Sequence, residues 1–423
     1  MPADLIIGLQ WGDEGKGKIV DLLAEKSDFV VRFHGGNNAG HTVVLGEKKH
    51  FFHLIPSGIF HEKPVSVIAN GVVIDLGVLY EEMEILKAEG VDVPKKLIIS
   101  ERSHLILPYH KELDAAYENA RGSKGLGTTK RGIGPAYSDK VSYNGIRMYE
   151  LLDWKQFEEK FIFQAKIKNR ILKCLDAKPI NIKRELEKIK FLRNKIKNYI
   201  KDTYTVLNNA IKENKQILME GAHGIMLDID WSPYPYSTAS NTIAGEVNIG
   251  SGIPVKSLDK IIGICKAYLS RVGSGPLPTE LNDKWANPIR EKGTEFGTTT
   301  GRPRRIGWLD LEAVKFSCDI NGVTDLVITK LDILNGLKEL KICTGYILNN
   351  KPIPYSSCGY KELAKLKPVY KTFKGWEEDI SGIRRFGELP ENCKTYLNFI
   401  EDFLGVKISI VSVGAERTAN IYK

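Results

Sequence analysis

The chain reads as an α/β protein built on a large, mostly parallel central sheet with helices on both faces. Three observations predict this. Short apolar runs of strand type recur at residues 5–7, 29–33, 65–68, 97–99 and 217–219. Helical patterns separate several of them, around residues 79–88 and 111–120. Glycine-rich segments follow the first two runs. Strands that alternate with helices need crossover connections, which give parallel strands covered on both faces.

The first element is Leu5-Ile6-Ile7, then Gly12-Asp13-Glu14-Gly15-Lys16-Gly17-Lys18, then a helical pattern of Ile19, Val20, Leu22 and Leu23. A strand feeding a glycine-rich turn and a helix start lets backbone N–H groups and the helix dipole converge on an anion. The spacing meets most of the P-loop pattern, but Ile19 stands where Ser or Thr would hold magnesium. Asp13, inside the loop, is the nearest oxygen donor of the kind magnesium prefers. A carboxylate aimed into a phosphate site points to a metal ligand, a proton acceptor, or both.

The second element, 29–33, is closed by Gly35-Gly36-Asn37-Asn38-Ala39-Gly40-His41-Thr42. Two such loops on one sheet edge can grip one substrate. His41, in a loop poor in side chains, is the candidate acid or electrostatic stabiliser of a developing phosphate charge. The later segment 122–137 mixes hydroxyls, cations and glycines, and suits either a second anion or a long surface loop.

Bulk properties narrow the class. A chain of 423 residues, 42% hydrophobic, can bury a sizeable core. No apolar run of about 18 residues occurs, so no membrane span is expected. The start runs directly into a strand rather than a secretory leader, and six cysteines without C-x-x-C pairing read as reduced thiols. Both point to the cytoplasm. The net charge of +9 is concentrated between Lys155 and Lys215, with 17 Lys and Arg against 7 Asp and Glu. Leu186, Ile189, Leu192, Ile196, Tyr199, Ile200 and Thr203 fall there at helical spacing, so the stretch reads as amphipathic helices with a solvated basic face. It carries no RNA-module motif, and neither nucleic acid nor membrane is an expected partner.

Towards the C-terminus, 219–224 ends another strand, and 234–242 forms a polar, proline-bent loop. Gly297-Thr-Thr-Thr-Gly-Arg-Pro-Arg-Arg305 joins guanidinium forks to short donors and is suited to a small polyanion. Leu326-Val-Ile-Thr-Lys-Leu-Asp332 resembles the guanine-reading element of GTPases, whose carboxylate accepts the ring N–H and amino N–H of guanine. The strand 408–414 can lay its loop on the same base.

Taken together, Trp11-Gly-Asp-Glu-Gly-Lys-Gly-Lys18, Gly36-Asn-Asn-Ala-Gly-His-Thr42, Gly127-Thr-Thr-Lys-Arg-Gly-Ile-Gly-Pro-Ala-Tyr137, Thr298-Thr-Thr-Gly-Arg302 and Thr329-Lys-Leu-Asp332 resemble the adenylosuccinate synthetase family nearly end to end. The resemblance implies a P-loop-like GTP-binding ligase fold treated as one domain over 1–423, with the lysine-rich helical segment at about 155–215. It implies ligation of L-aspartate to IMP, giving adenylosuccinate, GDP and phosphate through a 6-phosphoryl-IMP intermediate. That reaction is the first committed step from IMP to AMP. Asp13 is expected to take the N1 proton of IMP, and His41 to stabilise the phosphoryl group in flight.

The same resemblance places one magnesium on Asp13 and Gly40. It places GTP on Gly12, Asp13, Glu14, Gly15, Lys16, Gly17, Lys18, Gly40, His41, Thr42, Arg304, Lys330, Leu331, Asp332, Ser412, Val413 and Gly414. IMP falls to Asp13, Glu14, Gly15, Lys16, Asn38, Ala39, Gly40, His41, Thr129, Arg147, His223, Thr238 and Arg302. Aspartate falls to Thr298, Thr299, Thr300, Gly301, Arg302, Pro303 and Arg304. A homodimer is implied, the partner lending a basic group to the IMP site. Two positions depart from the family pattern: His223 replaces the usual glutamine, and Tyr143 stands where the lent arginine is expected, with Arg147 nearby.

Overall fold

The computed structural model describes residues 2–45, 48–297 and 301–423. Its centre is a ten-stranded sheet. From edge to edge the strands are Asn420–Tyr422, Ile408–Ser412, Asp325–Thr329, Leu258–Lys266, Ala3–Gly8, Ile217–Glu220, Phe29–Arg32, Val65–Ile68, Leu97–Ser100 and Ile200–Lys201. Every neighbouring pair is parallel except the last strand of the chain, which turns back against Ile408–Ser412.

Successive side chains of a strand point to opposite faces, and the core divides accordingly. Ile6, Val30, Leu218, Ile264 and Val327 meet Ile19, Val20 and Ala24 of the helix Lys16–Ala24 on one face. Leu5, Ile7, Val31, Met219, Cys265 and Ile328 enter the larger core on the other. The expected parallel sheet covered on both sides is present. It is completed by the strand Leu258–Lys266, which the sequence reading did not single out.

One local expectation is borne out and another corrected. The stretch from Leu186 to Thr203 forms amphipathic helices, as its spacing predicts, with a break between them. Helix Ile182–Ile196 buries Leu186, Ile189 and Ile196, and then the chain extends so that Ile200 pairs with Ile99 at the sheet edge. Asp202 caps the next helix, Thr203–Lys212, accepting from Tyr204 N and Thr205 N, and this capping resets the periodicity. His41 does not lie in a loose loop. It opens the hairpin of His41–Leu45 and Lys48–Phe52, paired with Phe52.

A smaller antiparallel layer, Glu339–Leu348 with Lys351–Ile353 and Lys367–Lys374, packs beyond the guanine-type element. The basic helices Trp154–Cys174 and Ile182–Ile196 bury one apolar face each, the first through Phe157, Phe161 and Leu172, the second through Leu186 and Ile189.

Candidate functional site

A cleft of about 1040 Å³ runs along the C-terminal ends of the central strands. Its size exceeds what one small ligand fills, and its place is where open α/β sheets bind ligands. The loop after Gly8 brings Gly12, Asp13 and Lys16; the segment after Arg32 brings Asn38 and His41; His223 follows Glu220. Lys330 and Asp332 follow Thr329, and Gly414 follows Ser412.

The first loop is wound by three left-handed residues, Gly12 at φ +86°, Asp13 at +57° and Gly15 at +88°. Glycine adopts such angles without strain. Gly8 is needed for another reason: a Cβ there would come 2.5 Å from Glu14 Oε2 and 2.6 Å from His223 O. Glu14 is fully buried; its Oε1 accepts from Gln10 N (3.1 Å) and Gly12 N (2.9 Å), and its Oε2 from Lys16 Nζ (2.6 Å). Its carboxylate therefore shapes the loop and does not line the cleft. Thr329 Oγ1 donates to Glu14 O at 2.6 Å, tying this loop to the guanine-type element.

Both loop lysines are engaged. Lys18 Nζ donates to Ser412 Oγ (2.7 Å), Gly414 O (2.8 Å) and Ala419 O (2.9 Å), joining the first helix to the end of the chain. Burial pulls its ammonium down to about 8. Asp332 is raised by burial, against the pull of Lys18 and Lys330.

Asp13 opens on the cleft, with its Oδ2 3.0 Å from Arg304 Nε in an ion pair not aligned for a hydrogen bond. His41 Nε2 lies 2.9 Å from Ile55 O, while Nδ1 is 3.3 Å from Arg32 Nη1 and 3.6 Å from Glu220 Oε1. Burial lowers its pKa, opposed by Glu220 and assisted by Arg32. Glu220 is itself fixed by Ser57 N (2.9 Å) and Ser57 Oγ (2.8 Å).

Asn38 Nδ2 donates to Thr238 Oγ1 at 3.2 Å, so the second loop and the proline-bent loop already touch. Thr129 reaches the cleft. His223 lines it at φ +57°, with neither ring nitrogen partnered among the described residues. Gly15, Gly17, Ala39, Gly40, Thr42, Thr238 and Ser412 also border the cleft.

Other expected residues are not brought in. Leu331 and Val413 have buried side chains, leaving only backbone to offer. Gly301, Arg302 and Pro303 are exposed and do not line the cleft, whereas Arg304 does. Thr298, Thr299 and Thr300 lie outside the described residues. Arg147 does not line the cleft of its own chain, and Tyr143 is 94% exposed.

The sequence reading missed Arg32, Arg271, Lys266 and Glu295. Arg271 is buried with its guanidinium 3.9 Å from the Trp11 ring centroid, and burial pulls it down to about 9. Lysine at the end of the apolar run 261–265 was the one available signal for Lys266. Glu295 looks like any surface acid in sequence, yet it is completely buried.

Among the described residues no group of three or more His, Cys, Asp or Glu is placed to hold a metal. Magnesium bound to nucleotides uses one or two carboxylates and completes its shell with phosphate oxygens and water, so a single carboxylate at Asp13, with the Gly40 backbone lining the same cleft, is chemistry that suits it.

The model of the adenylosuccinate synthetase family matches residues 5–421. Adenylosuccinate synthetase of Clostridium botulinum (strain Loch Maree / Type A3) is 49% identical over 419 residues, covering 99% of this chain and 98% of the relative. That of Clostridium perfringens (strain 13 / Type A) is 48% identical over 422 residues, with 100% and 99% covered. The solved structure of fully ligated adenylosuccinate synthetase from Plasmodium falciparum superposes with a TM-score of 0.94 at 39% identity, covering all of both chains. Succinoaminodeoxyadenylate synthetase of cyanophage S-2L, at 18% identity and a TM-score of 0.63, shares the fold; the match covers 99% of this chain and 95% of that one.

Proposed function

Because this chain belongs to the adenylosuccinate synthetase family, the GTP-dependent ligases that join L-aspartate to IMP, we propose that its cleft divides that reaction among named residues. The overall conversion is GTP + IMP + L-aspartate → GDP + phosphate + adenylosuccinate. A purine 6-oxygen is a poor leaving group, and phosphorylation makes it a good one.

Asp13 takes the proton from N1 of IMP, so that the 6-oxygen attacks the γ-phosphorus of GTP and GDP leaves. His41 donates to the phosphoryl group in transit. In this structure Nε2 is given to Ile55 O and Nδ1 faces Arg32, so the ring has to release the Ile55 carbonyl before it can donate to the phosphoryl group. The aspartate amine then attacks C6, and phosphate departs with the 6-oxygen. Positioning and charge neutralisation supply most of the rate.

Asp332 and Lys330 read guanine together with Ser412 and Gly414. Asn38, Thr129, Thr238 and His223 hold IMP, and the 298–304 loop takes aspartate. Asp13 and the Gly40 carbonyl would hold magnesium, which would supply charge neutralisation at the phosphates.

We place the partner subunit's contribution to the IMP site at the exposed surface around Tyr143 and Arg147, and the enzyme in the cytoplasm as a homodimer. No described helix is long and apolar enough to cross a membrane.

The observation that carries this division is the meeting of Asp13, His41 and Asp332 along one cleft. The test is product formation from GTP, IMP and aspartate by the parent chain and by Asp13→Ala. The variant should stay folded and make no measurable adenylosuccinate; turnover near the parent's would remove Asp13 from the mechanism.

A further inference from the structure

Glu295 is inaccessible to solvent, and each of its oxygens is claimed by a different part of the cleft. Oε1 accepts from Tyr268 Oη at 2.6 Å and Lys330 Nζ at 2.8 Å, and lies 3.2 Å from Lys266 Nζ. Oε2 accepts from Arg304 Nη1 at 2.7 Å. Lys330 stands two residues before Asp332 in the guanine-type turn. Arg304 closes the aspartate loop and touches Asp13 through its other edge.

Glu295 is also the foot of that loop. Arg304 N donates to Glu295 O at 2.9 Å, Phe296 bridges Pro303, and Gly297 N donates to Arg302 O at 2.8 Å. The stem is therefore fixed, and the carboxylate at its base grips the strand end that reads the nucleotide.

Charge gives this arrangement a direction. Lys266, Lys330 and Arg304 gather on Glu295, and Arg304 alone also pairs with Asp13. Burial would raise the Glu295 carboxyl, yet Lys266, Lys330 and Arg304 hold it well below the usual range. Arg304, the cation shared between two carboxylates, is the one placed to turn one edge to an incoming anion. When phosphate enters, the Nε edge of Arg304 can turn from Asp13 to the anion while Nη1 keeps its hold on Glu295.

We propose that Glu295 is a positioning residue that couples guanine-nucleotide binding to the seating of Arg304, freeing Asp13 once a nucleotide phosphate has taken its place. This rests on the assignment of GTP, IMP and aspartate to the cleft.

Glu295→Gln tests it by removing the charge at nearly constant size. The KM values for GTP and L-aspartate should each rise about tenfold, the KM for IMP should stay within twofold, and GDP affinity by calorimetry should fall by the same factor as the GTP term. Glu295→Asp, which keeps the charge at shorter reach, should recover part of the loss. Because Glu295→Gln leaves Lys266 without its counter-charge, the double variant Glu295→Gln/Lys266→Met provides a second reading and should show the same split between substrates.

The proposal is overturned if either folded variant keeps both KM values within twofold of the parent. It is equally overturned if IMP suffers as much as the other two, or if neither variant folds, since Glu295 would then be a stability element. A parent that made no adenylosuccinate would instead overturn the assignment of the cleft, while its GDP titration would still report the coupling.

Discussion

His223 sits in the cleft with both ring nitrogens unpartnered among the described residues and its backbone at φ +57°. Burial, then Arg32 and Lys16, lower its pKa to about 3, against about 6.5 in an unfolded chain. Between those values the unfolded state holds a proton that the folded state refuses. Stability present at pH 7 is therefore lost as pH falls through that window, by about 2 kcal/mol at pH 5. In His223→Gln the melting temperature should fall less between pH 7 and pH 5 than in the parent, and parallel slopes would contradict this. On the proposed guanine assignment, Asp332→Asn should cut the preference for GTP over ATP by about tenfold or more in competition assays, because a carboxylate can accept both guanine donors and an amide cannot. Asp13, His41 and Asp332 were legible because each stands in a short segment whose neighbours reveal a strand end. Glu295 was not, because its partners at 266, 304 and 330 share no spacing with it.

Elements add constraints that no single side chain carries. The carboxylate of Glu82, on helix Leu76–Ala88, accepts from the backbone of His53 (2.5 Å), Leu54 (3.2 Å) and Ile55 (3.0 Å). Ile55 O is the partner of His41, so this helix sets the His41 ring through one turn of chain. Removing it by Glu82→Ala leaves buried donors unpaired at a cost of about 1–3 kcal/mol, and kcat should fall while the KM for GTP changes little. An unchanged kcat in a folded variant would separate the helix from the ring. Gly8→Ala should be worse for the phosphate loop, since a Cβ there meets Glu14 and the His223 carbonyl. A loss of about 1–3 kcal/mol in denaturant melts and weakened GDP binding would be measured. The phosphate loop and its helix were readable from apolar runs and glycine placement. The hairpin that begins at His41 was hidden, because polar and basic residues at 47–50 mask its alternation.

For the whole molecule, Tyr143 is almost fully exposed and Arg147 does not line its own cleft. A proposed dimer would give a sedimentation mass twice 47.4 kDa. Arg147→Ala should then raise the KM for IMP about tenfold with the dimer intact; an unaffected KM would exclude that side chain from the site. The alternation of strands and helices made the sheet legible, whereas the order of its strands depends on contacts far apart in the chain. That order has a consequence for how the protein comes into being. The strand Ala3–Gly8 is synthesised long before both its neighbours, Ile217–Glu220 and Leu258–Lys266. Lys18 waits longer still, for the oxygens of Ser412, Gly414 and Ala419. The central sheet and the cleft at its strand ends therefore close only when segments far apart in the chain have met, a topology of high contact order that folds slowly and exposes its early apolar segments meanwhile.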